Sequence, residues 1–317
     1  MTLLFGLPIL VAVVAGIFFP YAALSLMPLG FVFLFILMLL SGFSVDWGKL
    51  PTALKHPWEL LFGLFLLFFF FPLLQLLLAK YLIRDAQFLV GLVFGSLMPV
   101  AFVAPFFTGL VEGDEELAFL LLVVSMLLAP LLAPLLLRLL TASVLPIQIA
   151  PLMKSMALLV TLPLLASFII CRYLPRLRRA ILPHLASANM IFLGMLIFIL
   201  FGTAVGRLNL GYESKFAVGK LLLLAFIQDF GVLFLARLFL GKLLAARAAN
   251  AIMVSLAMKN VAIAAGVFLF YDPRASLPPA MVFIAHAFLF SFIPAGRKLL
   301  LIRKAAPPPP LEPGPNS

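Results

Sequence analysis

Between Phe62 and Leu78 the chain is an almost unbroken run of Leu and Phe with no charged residue. In hydrocarbon every backbone N–H and C=O must be satisfied internally, so only helices or closed barrels span a membrane. Barrel strands alternate polar and apolar residues over about ten positions, and this run does not alternate. Helices are therefore required. Similar runs recur along the sequence. With about 20 apolar residues needed per crossing, they predict ten spans, near residues 3–19, 26–43, 58–79, 87–110, 117–140, 149–171, 185–205, 216–240, 249–270 and 277–296. Composition agrees. Apolar residues make up 65% and charged residues 10% of the 317, with a mean hydropathy of +1.26, whereas soluble domains carry roughly 25% charged residues.

The expected fold is thus an all-α membrane protein with residues 1–304 as one ten-span domain. A unit with an odd number of spans, repeated in tandem, inverts its second copy, as in many secondary carriers. Ten spans divide into inverted repeats at about 1–142 and 145–304. The Pro-rich tail, residues 305–317, is low-complexity and expected to be disordered. In such folds the fourth span of each half is often broken, and both fourth spans here are unusual. Span four carries Pro99 and Pro105, each of which removes a helical donor and crowds the preceding turn. Span nine carries Lys259 and Asn260 at mid-depth. Pro99 and Asn260 are 161 positions apart, about half the chain.

Lys and Arg near span ends set orientation. Thirteen of them, including Arg172, Arg176, Arg178 and Arg179, fall on the side shared by both termini, and eight on the other. Both termini are therefore expected in the cytoplasm, in a plasma or bacterial inner membrane. The net charge of +11 is dispersed between apolar runs, where it meets lipid headgroups rather than nucleic acid. The first apolar run has no basic leader and continues into a full span, so no cleavable signal peptide is expected. A single cysteine, Cys171, and three scattered histidines provide neither an internal disulfide nor a metal site. No phosphate-binding glycine loop or paired acidic motif points to an ATP-driven pump or a membrane enzyme, and no cofactor is implied.

Polar residues at membrane depth carry the functional signal. A Lys at the bilayer centre costs about 2.5–3.5 kcal/mol on insertion scales and usually faces a bundle interior or cavity. Lys259 lies about ten residues from either span end, roughly 15 Å of helical rise, too deep to snorkel easily. It is a candidate binding or coupling group; a structural ion pair is the plainer reading. Asp229, preceded by Gln228, is the one acid near the middle of a predicted span, and a pair with Lys259 on the next span is geometrically open. Such a pair serves equally as a responsive site or a static salt bridge. Ser96, Thr108 and Ser255 are candidate cavity-lining hydroxyls, although hydroxyls also bond back to helical carbonyls without function. Glu59 is expected at the interface, His184 in a connection and His286 alone within span ten.

The segment Ser41-Gly42-Phe43-Ser44-Val45-Asp46-Trp47 closes span two, and a basic loop then ends Lys55-His56-Pro57 before a span interrupted at Pro72. This layout resembles the bile acid:sodium symporter family. The resemblance implies ten spans in a five-plus-five inverted plan, with broken helices crossing at spans four and nine. The family's fourth span breaks at a Pro-Gly-Gly-Thr-like run followed by Ser-Asn. Here Pro99-Val100-Ala101-Phe102 and Ala104-Pro105 stand instead, and only the proline matches. The family's Glu and Gln-Asn of span nine read Ser255, Lys259 and Asn260, and a Gln of span three reads Leu67. The resemblance thus implies a carrier that has lost most sodium ligands and gained an amine.

Two consequences are expected. Protonation of Lys259 takes the place of sodium binding, making H+ rather than Na+ the coupling ion or leaving the carrier uncoupled, or Lys259 neutralises the substrate directly. The substrate is a small organic anion handled at a site of Lys259, Asn260, Asp229, Gln228, Ser255 and Thr108. A non-transporting receptor or scaffold that keeps the fold is the rival reading. A sibling ten-span family, such as auxin-efflux-type permeases, is a third.

Overall fold

A computed structural model describes residues 6–45, 47, 57–142, 144, 148–207 and 212–301. The basic connection at 48–56 and the Pro-rich tail lie outside the described residues. Twelve helices follow in order: α1 (Leu7–Phe18), α2 (Pro20–Phe43), α3 (Pro57–Leu82), α4 (Ala86–Ser96), α5 (Ala104–Leu110), α6 (Glu115–Thr141), α7 (Ile149–Tyr173), α8 (Pro175–Arg207), α9 (Phe216–Leu243), α10 (Ala246–Ala257), α11 (Val261–Tyr271) and α12 (Pro273–Leu300). Seven of them, α2, α3, α6, α7, α8, α9 and α12, are long and apolar enough to cross a membrane. No strand occurs among the described residues, apart from one isolated bridge. Seven of the expected spans fall on these long helices, whereas those near 3–19, 87–110 and 249–270 fall on shorter ones, α1, α4 with α5, and α10 with α11. Two of the long helices also begin earlier than expected. α8 starts at Pro175 because the Arg-rich connection is itself helical, which places His184 in a 3-10 turn of that helix. α2 starts at Pro20, whose fixed φ suits the first helical turn.

Local chemistry sets the helix ends. Asp85 caps α4 by accepting from the N–H groups of Gln87 and Phe88, Asp114 caps α6, and Asp272 caps α12. Each satisfies donors that a helix start leaves orphaned. The Asp85 and Asp272 caps are also cross-linked. Arg274 Nη2 pairs with Asp85 Oδ2 at 2.6 Å, and Gln87 Nε2 donates to Asp272 Oδ2 at 2.7 Å.

Helices α1, α2, α7 and α8 pack together, and α3–α6 with α9–α12 form a second group. Small residues let backbones approach. A Cβ on Gly202 of α8 would collide with the Ala23 side chain of α2, and one on Gly91 of α4 with the Ala275 carbonyl of α12. In lipid, close van der Waals packing of this kind replaces the hydrophobic drive for helix association. The short helices α4, α10 and α11 are buried on all sides over Phe88–Ser96, Ala248–Ala257 and Val261–Leu269. Protein, not lipid, therefore surrounds the non-helical backbone at residues 97–100 and 258–260, the condition under which such backbone is tolerated at membrane depth.

Those two gaps, residues 97–103 between α4 and α5 and 258–260 between α10 and α11, meet. Val100 and Lys259 form an antiparallel bridge in which Ala101 N donates to Met258 O at 2.7 Å and Asn260 N to Pro99 O at 2.8 Å. Ser125 Oγ of α6 accepts the Val100 N–H at 3.1 Å. Each gap thus supplies the hydrogen bonds that the other lost. Pro99 sits inside its gap. Pro105 does not break a helix, contrary to expectation. It stands in the first turn of α5, where a missing N–H costs nothing.

Candidate functional site

Lys259 is only 2% exposed, and its Nζ donates to the carbonyl of Leu67 at 3.0 Å. The sequence of α3 explains why that carbonyl is free. Residues Leu66–Phe70 form a π turn in which the Phe71 N–H bonds to Leu66 O. A continuing π pattern would take the Leu67 carbonyl to residue 72, and Pro72 has no N–H to give. One unused acceptor remains on the inner face of α3, and the lysine of the opposite gap satisfies it. An ammonium has three donors, so this bond leaves two for other partners.

Beside the crossing lies a cavity of about 460 Å³. Most of its wall is apolar, with Lys259, Asn260, His286, Asn189, Ser41 and Ser44 as the polar members. That balance, a greasy wall with a few polar groups, is typical of small-molecule sites of 300–1,000 Å³. Asn189 Oδ1 is buried without a partner, and Asn260 Nδ2 makes only a long contact to Met38 Sδ at 3.9 Å. Contributions come from the start of α1, the end of α2, the start of α8, the middle of α12 and both gaps. The cavity therefore separates the two helix groups.

The other sequence candidates divide. Asp229 and Gln228 lie in another π turn, Ile227–Gly231 of α9, both buried and both without hydrogen bonds from their side chains. Asp229 and Lys259, made candidates for a pair by adjacent spans, do not meet. Lys259 leaves the helical path at the gap and reaches α3, whereas Asp229 faces α12, where His286 Nε2 lies 3.6 Å from Oδ1. Thr108 and Ser255 are buried with unpartnered hydroxyls but do not line the cavity. Ser96 bonds back to the Val93 carbonyl at 2.7 Å. No group of three or more His, Cys, Asp or Glu side chains is gathered as metal ligands among the described residues.

Four groups are not among the site residues expected from the sequence. His286, Asn189 and Ser41 line the cavity, and Ser125 anchors the first gap. Only Pro72 gave a readable signal, since a proline inside a span always frees carbonyls one turn earlier.

The family model described as the Sodium Bile acid symporter family matches residues 31–209, more than half of the chain. That stretch holds the first gap and the Leu67 carbonyl; the second gap lies beyond it. The uncharacterized sodium-dependent transporter YocS of Bacillus subtilis (strain 168) is 26% identical over 166 residues. The match spans about half of each protein, 52% of this chain and 52% of that relative. The layout at Ser41–Trp47, the paired gaps and the family match agree, and this integral membrane protein belongs to the sodium bile acid symporter family.

Proposed function

We propose that the protein is a sodium-independent secondary carrier for an organic anion, working by alternating access about the crossed gaps. One observation carries the reading. Lys259 presents a buried ammonium to a largely apolar cavity at the crossing, held there by one bond to Leu67 and with donors to spare. A carboxylate or sulfonate entering the cavity meets the Lys259 amine, whose ammonium form it pairs, the amide of Asn260 and, around them, apolar wall for an amphipathic body. The same amine explains the loss of sodium ligands. At positions where the family has oxygen donors, this chain has Leu67, Ala104, Pro105 and the amine of Lys259, which supplies a positive charge when protonated.

Two of the three π turns among the described residues support the inverted five-plus-five plan, the third being Ala157–Thr161 of α7. Ile227–Gly231 follows Leu66–Phe70 by 161 positions, the same separation as Pro99 and Asn260. The cavity lies toward the end of the bundle formed by the starts of α1 and α8 and the end of α2. That is the side of the Lys and Arg excess, so with cytoplasmic termini this is an inward-facing form. A receptor that merely kept the fold would need no polar cavity at the crossing, and the family match sets the auxin-efflux-type reading aside.

Uptake into proteoliposomes, screened over radiolabelled organic acids that include the permanently charged taurocholate, tests the proposal. At least one acid is expected to accumulate at equal rates in sodium and potassium media. Steep dependence on a sodium gradient overturns sodium independence, and no uptake of any acid overturns the carrier reading.

A further inference from the structure

Asp229 is fully buried, and neither of its carboxyl oxygens has a hydrogen-bond partner. The one ionisable group within ion-pair distance among the described residues is His286 of α12, itself 3% exposed, with Nε2 3.6 Å from Oδ1. A buried charge is costly unless paired. The two side chains therefore require one proton between them, as a carboxylic acid beside a neutral imidazole or a carboxylate beside an imidazolium. Either arrangement is neutral overall. Loss of that proton leaves a bare carboxylate in a dry interior.

His286 connects this pair to the transport machinery in two ways. Its ring lines the same cavity as Lys259 and Asn260. It also lies against the main chain of Ala257, the last residue of α10 before the gap. The remaining charged or titratable groups of the surrounding elements stand apart. α12 carries Arg274 at its start and Arg297 and Lys298 near its end, α10 carries exposed Arg247 near its start, and α9 carries exposed Lys220, Arg237 and Lys242. α8 carries exposed Arg176, Arg179 and His184 and half-buried Arg178 in its first turns, and exposed Arg207 at its end. α11 carries only Tyr271, at its far end, and α1 carries none. Across the cavity, Lys259 is the one cation facing His286.

We propose that Asp229 and His286 form a proton-binding site whose occupancy controls the anion affinity of the cavity. This rests on the reading of the cavity as an anion site. With the proton bound, the pair is neutral and puts no negative charge beside the cavity, so an anion that pairs with the Lys259 ammonium is favoured. With the proton lost, a negative charge beside the cavity opposes the anion. Binding linkage is reciprocal, so the anion also tightens proton binding, and the two travel together. A proton is gained and released at Asp229 and His286, and no other bond changes.

The test uses the full chain in liposomes, with His56→Gln and His184→Gln substitutions so that labelled His286 alone reports in solid-state NMR. Its ring signals are expected to titrate in one step, and Asp229→Asn should move the midpoint by at least about one pH unit, a tenfold change in proton affinity. Infrared difference spectra between acid and alkaline pH should show a carboxyl signal that disappears in Asp229→Asn and shifts in His286→Gln. An unmoved His286 midpoint, or a carboxyl signal that survives Asp229→Asn, overturns the site. Taurocholate, or another acid taken up by the wild type, should enter faster under an inward proton gradient, and both variants should lose that acceleration. Acceleration retained in either variant overturns the coupling. Absence of all uptake by the wild type defeats the anion reading alone, because the NMR and infrared outcomes judge the proton site without a substrate.

Discussion

Lys259 gains its role from a residue nearly 190 positions away. Pro72 leaves the Leu67 carbonyl without an in-helix donor, and the ammonium fills that place at 3.0 Å. The two residues should therefore behave as a linked pair. Lys259→Met keeps most of the stem but removes the charge, and is expected to lower anion uptake at least about tenfold, or ~1.4 kcal/mol of binding, at every pH tested. Pro72→Ala restores a backbone donor, lets the π turn relax toward a regular helix and competes with Lys259 for the carbonyl. Reduced uptake together with faster modification of Lys259 by an amine reagent is the expected result, with mass spectrometry as the readout. Normal uptake and unaltered reactivity would show that the proline does not set the lysine's position. The position of Lys259 within an apolar span was legible in the sequence, as was the break at Pro72. The contact between them was not, because nothing in local spacing says which helix a side chain reaches after the backbone leaves its helical path.

Helix ends and interfaces carry the next level of control. α5 closes with Gly113 N donating to Thr108 O at 2.9 Å and Glu112 N to Gly109 O at 3.2 Å, a pattern that places the residue before Gly113 in the left-handed region. That residue is Glu112, with φ of 54°, the one non-glycine at positive φ among the described residues. Glycine adopts this conformation without the Cβ penalty. Glu112→Gly should therefore stabilise the protein by about 0.5–1 kcal/mol, visible as a higher midpoint in thermal unfolding in detergent. Packing between α2 and α8 predicts the opposite sign. Leucine at Gly202 meets Ala23 and the Gly16 carbonyl, and overpacking of this kind costs about 1–3 kcal/mol. The same melting assay should show the loss. Alternation of apolar runs and turn residues identified the helices themselves. That glycine in one helix meets alanine in another is a property of register between elements, which no single helix encodes.

At the scale of the whole molecule, the charge asymmetry and the cavity make a joint prediction. Cysteines placed at residue 176 and in the C-terminal tail, on a background lacking Cys171, should react with impermeant maleimide from the cytoplasmic side only. Labelling from outside intact cells would reverse the topology and turn the observed cavity into an outward-facing one. An anion that binds this form should protect a cysteine at Asn189, which lines the cavity, and leave one at residue 176 unprotected. Equal protection at both places would mean that the anion stabilises the protein generally rather than filling the cavity.

The sequence by itself determined the solvent and the elements of this protein. Nearly charge-free runs such as Phe62–Leu78 can be satisfied only as helices in lipid, and a lysine so far from either span end must be enclosed by protein. Prolines at 72 and 99 fixed where regular hydrogen bonding would fail. Tertiary structure alone decided the partners. It took Lys259 to a carbonyl of α3 rather than to Asp229, gave Asp229 to His286, and left Thr108 and Ser255 outside the cavity. The physical reason is the range of the forces involved. Helix formation and membrane insertion depend on residues within a few turns, whereas pairing at the crossing depends on how two interrupted helices lie against each other, and that is settled by the packing of the whole bundle.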